Sequence, residues 1–169
     1  MSDVIIYTAK AMTGIDGHTL IREAYYNKGF FEARGITVLD PVLVEDVQPS
    51  HEPLNNNLDQ LREYWRRDKE MIRRAHVLLD VTGKSSSEGK AHEIGYARYC
   101  LWKPVVRICP KLGPSIAVFE DDVVVEDLNE AADVILKHWG TIEKRYKWRT
   151  AMLDRCYSKW QRHQMEEWK

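Results

Sequence analysis

Short runs rich in β-branched residues alternate with longer stretches of helical period along most of this chain. That alternation restricts it to an α/β domain built on a mainly parallel sheet. "DVIIY" (3–7) predicts a first strand that breaks at "AMTGIDG", and a helix follows from about His18 to Ala33, stopped by Gly35. "ITVLD" (36–40) predicts a second strand ended by Pro41, and helical period resumes from Leu58 to about Ala75 before a third strand, "HVLLDV" (76–81). After "TGKSSSEG" a helix is expected from about Lys90 to Leu101, then a fourth strand, "PVVRIC" (104–109). Either "SIAVF" or "DVVVED" supplies a fifth, and the helix "LNEAADVILKHW" ends at Gly140.

The expected architecture is a Rossmann-like or flavodoxin-like, doubly wound, mainly parallel five-stranded sheet over residues 1–140, with a C-terminal helical extension over 141–169. In that last stretch Ile142, Tyr146, Leu153, Cys156 and Trp160 fall near i, i+3/i+4 spacing, as a buried stripe requires. The 169 residues suit one domain with a proper core. A formal net charge of −1 provides no overall electrostatic footprint for a nucleic-acid polymer. From Lys137 onward nine Lys/Arg stand against four Asp/Glu, a local excess that reads as a solvated helix face or subunit contact. Three cysteines, Cys100, Cys109 and Cys156, with no CxxC spacing suggest neither a disulfide framework nor a zinc site, which fits a reducing cytoplasm. The start of the chain has no signal-like segment, and no apolar run reaches membrane-spanning length, so no membrane partner is expected.

In a doubly wound sheet, ligands bind outside the carboxyl ends of the strands. That rule selects the loop from Tyr7 to Gly14, the Pro- and Asn-rich loop 42–57, and the Ser-rich loop after strand three as walls of one pocket. "GKS" (83–85) is half of a P-loop, but the first glycine of that motif would have to stand where Leu78 lies within a strand. His92-Glu93 begins an HExxH pattern whose second ligand position is Tyr96, so no metal is implied. What remains is an anion cradle. Ser87 and Gly89 at a helix start present hydroxyl and backbone donors, and Glu93 lies one turn further along the same face. Tyr7 and Asp68 belong to elements that lead to the same mouth. Two carboxylates and a phenol beside an anion cradle suit glycosidic chemistry, in which one carboxylate attacks or stabilises an oxocarbenium-like carbon while another group protonates the leaving group.

Three segments give this reading a family. "IIYTAKAMTG" (5–14), "RRDKEMIRRAHVLLDVT" (66–82) and "SEGKAHEIGYA" (87–97) resemble the opening strand and loop, the Asp-bearing helix-to-strand segment and the nucleophile signature of the nucleoside 2-deoxyribosyltransferase family and its nucleotide-hydrolysing relatives. The likeness continues more loosely through "KPVV" to about residue 138. It implies that Glu93 is the nucleophile at C1′, that Asp68 assists the base and orients the nucleophile, and that Tyr7 contacts the nucleophile or sugar. Members acting on free nucleosides usually carry an Asp where this chain has Ser87. A serine there donates to a 5′-phosphate that an Asp would repel, which resembles the branch acting on nucleoside 5′-monophosphates. By the same resemblance Ser115 is the serine a neighbouring subunit lends to the phosphate, and Thr13 and Gly14 belong to the first binding loop. Lys10 departs from the small residue usual in that loop, and either pairs with the phosphate or fills part of the pocket.

The expectation is therefore an N-glycosidase of a (2′-deoxy)nucleoside 5′-monophosphate, with no cofactor and no metal, and with Met12 and Trp65 against the base. The alternatives are a base-exchanging 2-deoxyribosyltransferase and, from a different class, a non-catalytic nucleotide sensor. A homodimer or higher homo-oligomer is expected from the family likeness and the apolar stripe on the last helix.

Overall fold

The computed structural model describes residues 4–12, 15–44, 58–81, 87–109 and 123–139. Their strands are β1 (Val4–Ala9), β2 (Ile36–Leu39), β3 (Val77–Asp80), β4 (Val105–Ile108) and β5 (Val123–Val125); the helices are α1 (Gly17–Glu32), α2 (Pro41–Val44), α3 (Leu58–Arg74), α4 (Glu88–Gly95) and α5 (Leu128–Trp139). All four strand pairings are parallel and the order is β2-β1-β3-β4-β5. This is the flavodoxin-like order, and its topological switch point lies between β1 and β3.

Strands in a parallel sheet covered on both faces must be apolar on both, and the burial pattern follows that rule. One face carries Val4, Ile6, Ile36, Val38, Val77, Leu79, Val106 and Ile108 against Phe31 of α1 and Ala131, Ala132, Ile135 and Trp139 of α5. The other carries Tyr7, Ala9, Leu78 and Val105 against Met71, Ile72 and Ala75 at the α3 end and Ile94 and Ala97 at α4. Tyr7 does not end the first strand. Pairing continues through Thr8 and Ala9, because both are buried and bond to β3 in register.

Local chemistry sets the helix limits. Asp16 caps α1 by accepting from the backbone N–H groups of His18 and Thr19 at 3.0 and 3.2 Å. Beyond the C-terminus of α1, Gly35 adopts φ +76°, where a side chain would be strained. Lys103 donates to the main-chain oxygens of Arg73, at 3.1 Å, and Ala75, satisfying the carboxyl end of α3. Two expected boundaries shift. Residue 42 begins no loop, since Pro41–Val44 form one helical turn first, with Pro41 at the helix start where its missing N–H does no harm. The helix expected over 90–101 begins at Glu88, is α-helical only to Gly95, and continues as a π-helical segment, Tyr96–Cys100. "DVVVED" supplies the fifth strand through Val123–Val125. "SIAVF", the rest of the 42–57 loop and the C-terminal helix expected beyond Gly140 lie outside the described residues. No helix among the described residues is long and apolar enough to cross a membrane.

A Cβ at Gly35 would meet no atom within 4 Å, so Gly35→Ala isolates the backbone term. The substitution is expected to cost about 1 kcal/mol. That lowers the midpoint of thermal unfolding by about 2–4 °C.

Candidate active site

The crevice at the switch point is floored by β1 and β3 and roofed by α3 and α4, and α4 packs on both β1 and α3. Tyr7 projects from the middle of β1 into this layer and is fully buried. Asp68 approaches from α3, which has its charged residues outward and a run of apolar ones inward, as a covering helix requires. Glu93 approaches from α4, where Lys90, Glu93 and Ile94 form the buried side. Glu93 is 5% exposed and therefore not a solvated surface carboxylate.

The electrostatics of Asp68 are unusual. Burial raises its pKa from 3.8 to about 6, against a smaller opposing effect of the neighbouring Tyr7 hydroxyl. Its Oδ1 makes no hydrogen bond among the described residues. A half-buried carboxyl that is still half protonated at about pH 6 can donate to a leaving group, and a second carboxylate can then act as nucleophile. A division of labour between two carboxyl groups set by their environments is how one site runs both acid and nucleophilic chemistry.

Ser87 is the N-cap of α4: its hydroxyl oxygen accepts from the backbone N–H of Lys90 at 3.2 Å. Gly89 sits in the exposed first turn, and a Cβ there would meet nothing within 4 Å among the described residues. The accepting oxygen of Ser87 is thus used by the helix, while its proton remains available to a ligand at the same helix end.

Three other candidates have partners within the fold. Lys10 does not point its charge at a ligand: its Nζ lies 2.7 Å from Asp40 Oδ2, with both side chains inaccessible to solvent. Thr8 Oγ1 donates to the same oxygen at 2.7 Å, and Asp40 Oδ1 accepts from the N–H of Val42 at 3.0 Å, so this cluster pins the exits of β1 and β2 together. Met12 packs with Ile15, Ile21 and Leu43 around Leu20, Ala24 and Val42, a satellite core between α1 and α2. Trp65 lies on the seam of α3 with the following helix, its ring 5.8 Å from that of Tyr96 and 6.3 Å from that of His92. Thr13, Gly14 and Ser115 lie outside the described residues.

The sequence reading passed over a second charged cluster. Asp80, fully buried at the end of β3, is held by Lys90 Nζ at 3.2 and 3.3 Å and by Arg107 Nη1 at 3.2 Å. The available signal was a lone acid in "HVLLDV" and a lone base in "PVVRIC", each inside an otherwise apolar strand. Among the described residues no group of three or more His, Cys, Asp or Glu side chains is arranged to hold a metal ion.

No family model and no curated protein sequence matches the chain. Among solved structures, the chain is similar to a 2-deoxyribosyltransferase from the psychrotolerant bacterium Bacillus psychrosaccharolyticus, at a TM-score of 0.59 and 20% sequence identity. The likeness covers 77% of this chain and 91% of that one. It establishes that the two share a fold.

The raised pKa of Asp68 has a stability consequence of definite sign. The folded value lies above the unfolded one, so the penalty is absent below about pH 4 and accrues as pH rises through about 6. Asp68→Asn removes the ionisation. With allowance for solvent screening of a half-buried group, the variant is expected to be about 1–2 kcal/mol more stable than wild type above pH 7 and no more stable near pH 4. Urea unfolding at the two pH values checks this; a variant less stable than wild type at pH 7 contradicts it.

Proposed function

We propose that this chain makes and breaks the N-glycosidic bond of a 2′-deoxynucleoside or its 5′-monophosphate through a glycosyl-enzyme intermediate on Glu93. The observation that carries the reading is the Asp68 carboxyl, held up to about 6 by burial beside Tyr7, in the same layer as the buried Glu93. In the first step a Glu93 carboxylate oxygen forms a bond to C1′. The C1′–N bond breaks, its electron pair leaves with the base, and the Asp68 proton goes to that base. Tyr7 steadies the pair of carboxyl groups from beneath. In the second step ionised Asp68 takes the proton from the incoming acceptor, the acceptor bonds to C1′, and Glu93 is released.

The acceptor decides the reaction. Similarity of fold to a 2-deoxyribosyltransferase favours a second base, which makes the chain a base-exchanging transferase. A specific observation favours water and a nucleotide substrate instead. Ser87 occupies the α4 cap with a proton to donate at the positive end of the helix, a setting that attracts a 5′-phosphate. In both readings Glu93 and Asp68 keep their roles, and no cofactor is required.

Chromatography of free bases and of new nucleosides separates the readings. The protein is incubated with a panel of ribo- and deoxyribonucleosides and their 5′-monophosphates, with and without a second base. A new deoxynucleoside formed only when the second base is present supports transfer, and base released from monophosphates alone supports hydrolysis. Glu93→Gln is expected to lower either rate at least about a thousandfold while the folded CD spectrum is kept. Because Asp68 acts as acid, the rate of base departure should fall as pH rises through about 6. Asp68→Asn should lose that limb together with about a hundredfold or more of the rate. Full activity in Glu93→Gln contradicts the assignment.

A further inference from the structure

The Asp80, Lys90 and Arg107 cluster includes Lys90, which lies three residues before the candidate nucleophile on the buried side of α4. On the sheet face covered by α3 and α4, Ala9 is in register with Asp80 and Asp80 with Arg107, forming one cross-strand row at the carboxyl edge. One row lower, two residues down each strand, Tyr7 is in register with Leu78 and Leu78 with Val105. Lys90 and Glu93 are both on the buried side of α4, three residues apart, with Lys90 nearer the carboxyl edge. Three helical residues advance about 4.5 Å, and two strand residues about 6.6 Å. A helix whose Lys90 is fixed on the upper row therefore brings its next inward residues over the lower row. Ile94 and Ala97 do pack with Tyr7, Leu78 and Val105.

We propose that Lys90 is a positioning residue for Glu93: its ion pair with Asp80 sets the height and rotation of α4 so that the Glu93 carboxyl meets Tyr7 and Asp68. This inference rests on the reading of Glu93 as nucleophile. Two features single out position over stability. A buried carboxylate held between two buried cations is a poor device for stability, because desolvation offsets most of the attraction and apolar replacements often do as well. Moreover α4 is only eight residues long and passes directly into a π-helical segment, so its own hydrogen bonds do little to hold its rotation. Lys90 anchors it at both levels: its N–H donates to the Ser87 cap and its ammonium reaches the sheet. Arg107 completes the anchor from β4 by holding the second oxygen of Asp80.

The test compares wild type, Lys90→Met and Lys90→Arg in the full chain for base release or exchange, with kcat and KM taken separately and thermal unfolding recorded alongside. Lys90→Met should lower kcat about a hundredfold and change KM less than about threefold, with its unfolding midpoint close to wild type. Lys90→Arg, which can still pair with Asp80 at a different reach, should recover part of the loss and lie about tenfold below wild type in kcat, again at near-constant KM. If Lys90→Met does not fold, Lys90→Arg decides alone by the same split. A wild-type kcat in the variants overturns the inference while leaving the nucleophile in place, as does a loss confined to KM. A wild-type protein that releases no base from any substrate overturns the reading of Glu93 and this inference with it.

Discussion

Charge in a layer without water has to be compensated, and this constraint organises the carboxyl edge of the sheet. The domain buries Lys10, Asp40, Asp80, Lys90 and Arg107, and a buried charge survives folding only when it is paired and hydrogen-bonded. Asp40 accordingly takes Lys10, Thr8 and the N–H of Val42, and Asp80 takes Lys90 and Arg107. Each cluster is also a pin, one joining the exits of β1 and β2, the other joining β3, β4 and the first turn of α4. The switch-point crevice lies between two fixed points. Asp68 is treated differently: it faces a phenol in place of a cation, and its proton is retained to about pH 6.

The legible part of this architecture was the part governed by periodicity. Strands covered on both faces read as continuous apolar runs, so "DVIIY", "HVLLDV" and "PVVRIC" were recognisable as strands of a parallel sheet, short by Thr8 and Ala9 in β1, and Gly35 marks the end of a helix by a local rule that needs no partner. The elements that carry Tyr7, Asp68 and Glu93 follow from strand order, because the switch-point rule depends only on topology. The fates of Lys10, Met12 and Trp65 were not legible. Each turns on which of several long-range neighbours a flexible side chain meets, and no local signal distinguishes a lysine that meets a phosphate from one that meets Asp40, thirty positions away. Asp80 and Arg107 are an intermediate case: the oddity of a charge in an apolar strand was visible, and their mutual pairing required the β3 to β4 register.

The chemistry follows from the same separation of environments. On the proposed function, one carboxyl that carries a proton and another that attacks would divide a glycosidic cleavage into two steps, with the far end of the sugar or nucleotide at the cap of α4. The acceptor, base or water, enters after the intermediate forms, so transfer and hydrolysis differ little in the residues required.

The central claim is the covalent intermediate on Glu93, and its capture is the most direct test. A 2-fluoro-2-deoxy nucleoside or its 5′-monophosphate slows both steps, because the fluorine opposes an oxocarbenium-like transition state, and the glycosyl-enzyme accumulates when the second step is slowed more. Intact-protein mass spectrometry followed by peptide mapping should then find one fluorinated sugar added to the peptide that carries Glu93, with nothing added in Glu93→Gln. Base released without any adduct, or an adduct on a different carboxylate, would contradict the account.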